Sequence, residues 1–398
     1  MIKSLSFHPF RRGEYKRGLK TDKESEILEK EKKIRYKTSL CSDLLAKRAR
    51  KSCILVIFLL MSFLSAESYW VRYGWQAFKN AGDAQSLALG QTQTAAFGGA
   101  ASVLQNPAHA KNPFDQYLYA HQNRFAGLVN SDLVAFPTLK RFRNPVKMVL
   151  FHEGVSQIPD TRDILLDWGL DGIPGTGDAG ENNGQLDEGE RLDAEKVSYF
   201  RQSQWGVHLS STWQLNRWTL GVGMKGFFHA LAEHFASGIG IDVGATSSFW
   251  KGNTVGLVLS DATTSLLVWD NGTIERFSPE LFAGIAQEIG FDKIPLRFKL
   301  MADIALDPFG RSVDDDLQLG KIGGRYRAGF EIQYKKIAVR FGRGLNALTS
   351  AGLGLDWGQA AIHYAFTSSN QSAMLGDSHL ISFSLDPKWL AAQVTKLF

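Results

Sequence analysis

The chain is predicted to be all-β: a transmembrane antiparallel β-barrel of about 14 strands with an N-terminal hatch segment in its lumen. Three observations predict the barrel: period-two alternation sustained over many segments, short turns alternating with long acidic loops, and an export signal ahead of the pattern. Residues 67–113, apolar enough to pack but too irregular for strands, suit a hatch.

The alternation is clearest at 296–307. Leu296, Phe298, Leu300, Ala302, Ile304 and Leu306 fall on one face, Arg297, Lys299, Asp303 and Asp307 on the other. Successive strand side chains point to opposite sides, so each segment carries one apolar and one polar face. Leu220, Val222 and Met224 alternate with Gly221, Gly223 and Lys225, and Tyr326, Ala328, Phe330, Ile332 and Tyr334 with Arg325, Arg327, Gly329, Glu331 and Gln333. A soluble sandwich would turn the apolar rows inward; a membrane barrel turns them out toward lipid and encloses the polar rows. Strand lengths near ten residues and a polar face mixing Arg, Lys, Asp and Gly favour the barrel. Asp242, Arg297, Lys299, Asp303, Asp356 and His379 are the polar side chains expected in the lumen.

Fourteen segments carry the strand signal: 117–122, 128–136, 146–155, 204–213, 219–230, 238–248, 254–260, 281–287, 296–307, 326–334, 336–342, 352–357, 360–366 and 379–385. An even count suits a bacterial barrel. Turns such as Asn216-Arg217 are tight, whereas 157–198 and 308–324 are long, acidic and rich in glycine. That asymmetry is expected of turns on one side of a membrane and loops on the other.

Ahead of the strands, an apolar run at 53–64 follows Lys47, Arg48, Arg50 and Lys51 and precedes the small residues Ser65, Ala66 and Ser68. A basic start, a short apolar run and small residues are the marks of a secretory signal. The run is short of the roughly 20 residues needed to span a bilayer as a helix. Residues 1–66 are therefore read as a basic extension plus signal peptide, 67–113 as the hatch, 114–386 as the barrel with an acidic insertion at 157–198, and 387–398 as an amphipathic tail. Residues 1–52 hold sixteen Lys/Arg against seven Asp/Glu, so with the whole chain at +5 the rest sits near −4. No nucleic-acid partner is expected. Cys41 and Cys53 both lie in the removed part, which leaves no disulfide or cysteine metal site.

The densest polar cluster lies at 167–190. Asp167, Asp171 and Asp178 fall at positions 1, 5 and 12 of a twelve-residue calcium loop, with Gly172 at the turn. Asp178, Asn182, Asp187 and Glu190 form a second partial loop, so Ca2+ is the one candidate cofactor, set against a solvated acidic loop. His229, Glu233 and His234 are spaced one residue too far apart for a histidine–glutamate zinc motif. The glycines around Asp242 and Asp356 lie inside strands with no following helix, so they suit close packing against the hatch better than a dinucleotide loop. No nucleophile with an adjacent base stands out, and the chain is expected to be no enzyme.

Two blocks resemble the PorV/PorQ family, a branch of the FadL-like outer-membrane barrels. The first runs from Ala81 through Gly82, Ser86 and Gly90 to Asn106, Pro107 and Ala108. The second is Tyr364-Ala365-Phe366 followed by 375–382. Gln85, Gln91, the Phe97-Gly98-Gly99 run and His363 depart from the family pattern. The resemblance implies a bacterial outer-membrane location, with lipid and either secretion machinery and exported proteins or a hydrophobic ligand as partners. The implied roles are type IX-like protein secretion and surface attachment, or transport of a hydrophobic compound. A barrel-borne lipid hydrolase and a secreted soluble β-protein that binds a ligand are the alternatives.

Overall fold

The computed structural model describes residues 68–71, 75–112, 114–139, 141–291, 293–307, 315–319, 322–345, 348–368 and 377–397. The basic extension and signal at 1–66 lie outside these residues, as do Leu375, Gly376 and Phe398.

Every alternating segment forms a strand. In chain order the wall is β1 (Tyr117–Arg124), β2 (Val129–Ala135), β3 (Val146–Asp160), β4 (Ser198–Leu215), β5 (Trp218–Leu231), β6 (His234–Ser247) and β7 (Asn253–Ser260). It continues with β8 (Glu280–Gly290), β9 (Leu296–Asp307), β10 (Ile322–Tyr334), β11 (Ile337–Arg343), β12 (Thr349–Asp356), β13 (Ala360–Ser368) and β14 (Ser378–Leu385). Each pairs antiparallel with its chain neighbours. β14 returns to β1 with Leu385 opposite Tyr117. The fourteen strands therefore close into a ring whose backbone groups are paired all round, as a sheet in hydrocarbon requires.

The direction of the side chains excludes two stacked soluble layers. Lys225, Asp242, Asp303, Arg325, Arg327, Glu331 and Arg340 point inward and are at most 7% exposed. Leu209, Met224, Ile239, Leu257, Ile285, Leu300 and Leu353 point outward and are 40–62% exposed. An apolar outer surface around a charged interior is the reverse of a water-soluble protein and far exceeds an ordinary surface patch. Trp213, Trp250, Tyr334 and Trp357 mark one rim and Trp205, Phe228, Phe235 and Tyr326 approach the other, all outward and exposed, as aromatic girdles do.

The connections β4–β5, β6–β7, β8–β9, β10–β11 and β12–β13 are two to five residues long. The opposite rim carries the long 161–197 and 261–279 segments. It also bears a hairpin, Ser265–Trp269 with Ile274–Phe277, too short for alternation to announce. Ser265–Trp269 takes over pairing with β6 where β7 leaves it, and Ile274–Phe277 pairs in parallel with Ser68–Val71.

Inside the ring lies the hatch, formed by α1 (Gln76–Asn80), α2 (Ala84–Ala88) and the 3₁₀ turns Ala100–Leu104 and Pro107–Lys111. Trp75 and Phe78 pack against each other, against Phe151 and Phe227 of the wall and against Phe277 of the rim hairpin, with ring centroids 4.8–5.7 Å apart. The apolar core therefore sits between hatch and wall. Beyond β14, Asp386 accepts from the Lys388 amide at 2.8 Å and opens helix α3 (Pro387–Leu397).

Candidate functional site

The site is the contact between the hatch and the lumen wall. The hatch folds as compact turns because its own polar side chains cap them. Asp83 accepts from the Ser86 amide at 2.7 Å and starts α2. Asn106 accepts from the Ala108 amide at 2.9 Å and donates to the Thr94 carbonyl at 2.6 Å. Pro107 follows at the first helical position, which fits its fixed φ. Gly82, Ser86, Gly90, Asn106, Pro107 and Ala108 are all buried in this contact.

Wall glycines admit the hatch. A Cβ at Gly221 would overlap Pro107 and Ala108, one at Gly244 would overlap Asn106, one at Gly342 the Leu89–Gly90 backbone, and one at Gly352 Ala88. Gly90 itself has φ +62° and lies against the Arg343 backbone, so a side chain there is blocked by conformation and by space.

Charged wall residues clasp the hatch at two points. The Asp303 carboxylate accepts from the Thr94 amide at 3.1 Å and the Thr94 hydroxyl at 2.8 Å, and lies 3.4 Å from Arg327. Glu280 pairs with hatch Lys79 at 2.9 Å and with Arg325. A third group stays within the wall and its loop. Lys225 lies 2.8 Å from Asp242 and 2.6 Å from Asp261, with His208 3.6 Å from Asp242. Glu331 pairs with Arg340 at 2.5 Å, and Arg340 reaches His363 at 3.0 Å. Charges this deeply buried hold only as pairs, and each carboxylate here faces a cation, although His208 Nε2, Asp303 Oδ1 and Arg327 Nε make no hydrogen bond of their own.

Two hatch groups have displaced protonation equilibria. Burial pushes the Asp83 carboxyl up to about 6, against the Ser86 amide bond and the Arg340 charge. Burial pushes the His109 imidazole down to about 4, against its bond to the Gln93 carbonyl. Near neutrality His109 is therefore uncharged and donates from Nε2 to Gln93 across 2.8 Å.

Two cavities flank the clasp. One of about 70 Å³ lies among Trp75, Phe78, Lys225, Asp242 and Arg327. It is large enough for about two waters and far below the roughly 300 Å³ of a small-molecule site. The other, about 590 Å³, opens at the short-turn rim beside Phe97, His109, Lys111, Arg217 and Lys299.

The expected lumen residues separate on inspection. Asp303 lies at the clasp with Arg327 and Asp242 in the wall group with Lys225. Lys299 is 3.9 Å from Glu331, Arg297 sits at the short-turn rim 3.8 Å from Glu288, and Asp356 accepts from the Gly358 amide at 2.7 Å on the same rim. His379 is a correction: it lies on the outer face, 2.8 Å from the Tyr364 hydroxyl and against Phe366. There Leu380, Ser382 and Ser384 point inward instead. Alternation alone did not reveal the clasp partners Lys79, Thr94, Glu280 and Arg327, because they come together only across the lumen.

In the acidic insertion the expected calcium ligands face backbone amides. Asp167 accepts from Gly184, Asp171 from Ile173, Asp178 from Asp171, and Glu190 from Gly169 and Asp187, at 2.7–2.9 Å. The Asn182 amide donates to the Asp167 carbonyl, and Asp187 accepts from the Asn183 side chain. Among the described residues no group of three or more His, Cys, Asp or Glu side chains is arranged to hold a metal ion.

The fold and site define a hatch-plugged, fourteen-stranded transmembrane β-barrel. Among solved structures the chain is similar to the Ralstonia pickettii toluene transporter TbuX and the Pseudomonas putida toluene transporter TodX. Each is 13% identical with a TM-score of 0.47, over 77% of this chain and 98% of the other. A Pseudomonas aeruginosa FadL homologue is 10% identical with a TM-score of 0.38, over 76% and 98%. Identities and scores this low carry no function across. No family model matches the chain, and no curated protein matches it.

Proposed function

We propose that this chain is a bacterial outer-membrane conduit of the PorV/PorQ type that passes a hydrophobic compound when its hatch shifts. The observation that carries the reading is the clasp. Asp303 and Glu280 hold the hatch by hydrogen bonds and ion pairs, alongside the apolar packing of Trp75 and Phe78, and a cavity of about 70 Å³ lies beside them between Trp75 and Arg327. The clasp is non-covalent, so the plug can be displaced, at the cost of its buried contacts, while the ring persists. In this reading the export signal at 53–64 directs the chain to the envelope, and the long-loop rim faces outward. The test is uptake of a hydrophobic fluorophore into vesicles containing the purified barrel. Uptake above protein-free vesicles, accelerated by loosening the clasp, supports the reading; uptake equal to empty vesicles contradicts it.

A second role, escort or attachment of exported proteins, is favoured by the acidic insertion. Its carboxylates fold it into a compact loop on the long-loop rim, a ready surface for a protein partner. Co-purification with a secretion pore rather than with a bound hydrophobic molecule would select that role.

A further inference from the structure

Part of the outer wall departs from the apolar rule. Across β1 to β4 the outward positions Tyr119, His121, Asp132, His152 and Ser203 form a polar row. Tyr119 donates its hydroxyl to Asp132 Oδ1 at 2.7 Å, and His121 Nδ1 lies 2.9 Å from the same oxygen. Asp132 stands directly opposite His152 in the β2–β3 ladder, a placement that sets Cβ atoms about 5 Å apart. His152 Nε2 lies 3.0 Å from Ser203 Oγ. Trp205 braces the imidazole, with ring centroids 4.4 Å apart. The ladder partner of Ser203 is Gly154, where an added Cβ would stand 3.1 Å from His152 Cε1. The missing side chain leaves the serine–histidine pair open to the bilayer side.

The depth suits a lipid ester. Below Ser203 the outward row of β4 runs Trp205, Val207, Leu209, Ser211, Trp213 and Leu215 to the short-turn rim. Ten residues of a strand rising about 3.3 Å each, tilted by about 40°, cover about 25 Å, the height of a barrel's apolar band. Ser203 therefore sits at the upper edge of that band, where acyl chains join their headgroups. An interfacial polar girdle accounts for polar residues at this level. It does not account for a hydroxyl, an imidazole and a carboxylate placed in that order on three consecutive strands.

We propose that Ser203, His152 and Asp132 form a site on the outer wall that hydrolyses lipid acyl esters, separate from the lumen. Ser203 Oγ attacks the ester carbonyl as its proton passes to His152 Nε2. Collapse of the tetrahedral adduct breaks the acyl–oxygen bond, and His152 returns the proton to the departing alcohol. A water then loses its proton to His152 and attacks the acyl-serine. Free fatty acid leaves, and the proton goes back to Ser203. Asp132, opposite His152 in the ladder, is a positioning residue that balances the imidazolium charge through space, and Tyr119 and His121 hold its carboxylate in place.

The test uses the full barrel in detergent with a serine-reactive fluorophosphonate, and separately with micellar diacyl phosphatidylethanolamine and with lipopolysaccharide. Mass spectrometry is expected to place the phosphonate on Ser203 of the unaltered protein. Fatty-acid release from one of the two lipids is expected to fall about 100-fold or more in S203A and H152A. Asp132→Asn is expected to lower release and shift its pH profile. Heat-modifiable gel mobility identifies variants that remain folded. The labelling needs no variant, so a poorly folding mutant does not rescue the proposal. An unlabelled Ser203 overturns it, as does release that is absent from the unaltered protein or equal in S203A.

Discussion

Asp303→Ala is the most informative substitution in the lumen. It removes the acceptor for the Thr94 amide and hydroxyl and strips Arg327 of the carboxylate 3.4 Å away. Removing one partner of a buried pair costs about 3–5 kcal/mol, because the remaining charge is left uncompensated. Both hydrogen bonds belong to the hatch, so much of that cost falls on the closed state. At 1.4 kcal/mol per tenfold, the population of displaced hatch should rise roughly 10²–10³-fold. Limited proteolysis of vesicle-inserted protein reads this directly, since cleavage between residues 75 and 112 requires the hatch to leave the lumen. The barrel should keep its heat-modifiable mobility, and D303A/R327M should regain part of the protection because no unpaired charge remains. Hatch cleavage at the unaltered rate in D303A, with the barrel still folded, would refute the clasp.

Gly342→Val places a side chain against the Leu89–Gly90 backbone; overpacking of about 1–3 kcal/mol should likewise expose the hatch to protease. Met224→Arg on the exposed outer face should cost about 2–4 kcal/mol in denaturant-dependent folding into vesicles, as expected of a charge facing lipid near the midplane; no loss would mean that residue does not face acyl chains. The two titrating hatch groups oppose one another. With a folded-state value near 6, Asp83 keeps its proton after a released carboxyl has lost it, so its contribution is full below about 3.8 and fades as pH rises toward 6. With a folded-state value near 4, His109 contributes fully above 6.5 and loses that contribution as pH falls toward 4. Hatch protection in Asp83→Asn should therefore weaken on acidification from 6.5 to 4, whereas in His109→Gln it should strengthen; equal pH dependence in the two variants would contradict both assignments.

The strands were legible because lipid outside and a polar lumen inside impose alternation for the full height of the wall. Their ends were less so: β3, β4 and β6 run past the expected limits at the long-loop rim, where no bilayer shapes the pattern. The lumen clasp was invisible in sequence because Lys79–Glu280 and Thr94–Asp303 are separated by 201 and 209 residues. His379 was misplaced for a related reason. The apolar hatch makes part of the lumen wall apolar, with Leu118, Leu133, Phe151 and Leu380 all buried against it, so polarity no longer reports which face a residue occupies. Ser203 and His152 carry no motif spacing in the sequence and meet only diagonally across the β3–β4 ladder.

The most direct measurement places single-cysteine spin labels along β9, which is open to it because both cysteines of the chain lie within residues 1–66. Labels at 298, 300, 302 and 304 should relax with lipid-dissolved oxygen, while those at 299, 301, 303 and 305 should be shielded. The reverse alternation, or none, would mean that the leucines of this wall do not face a membrane.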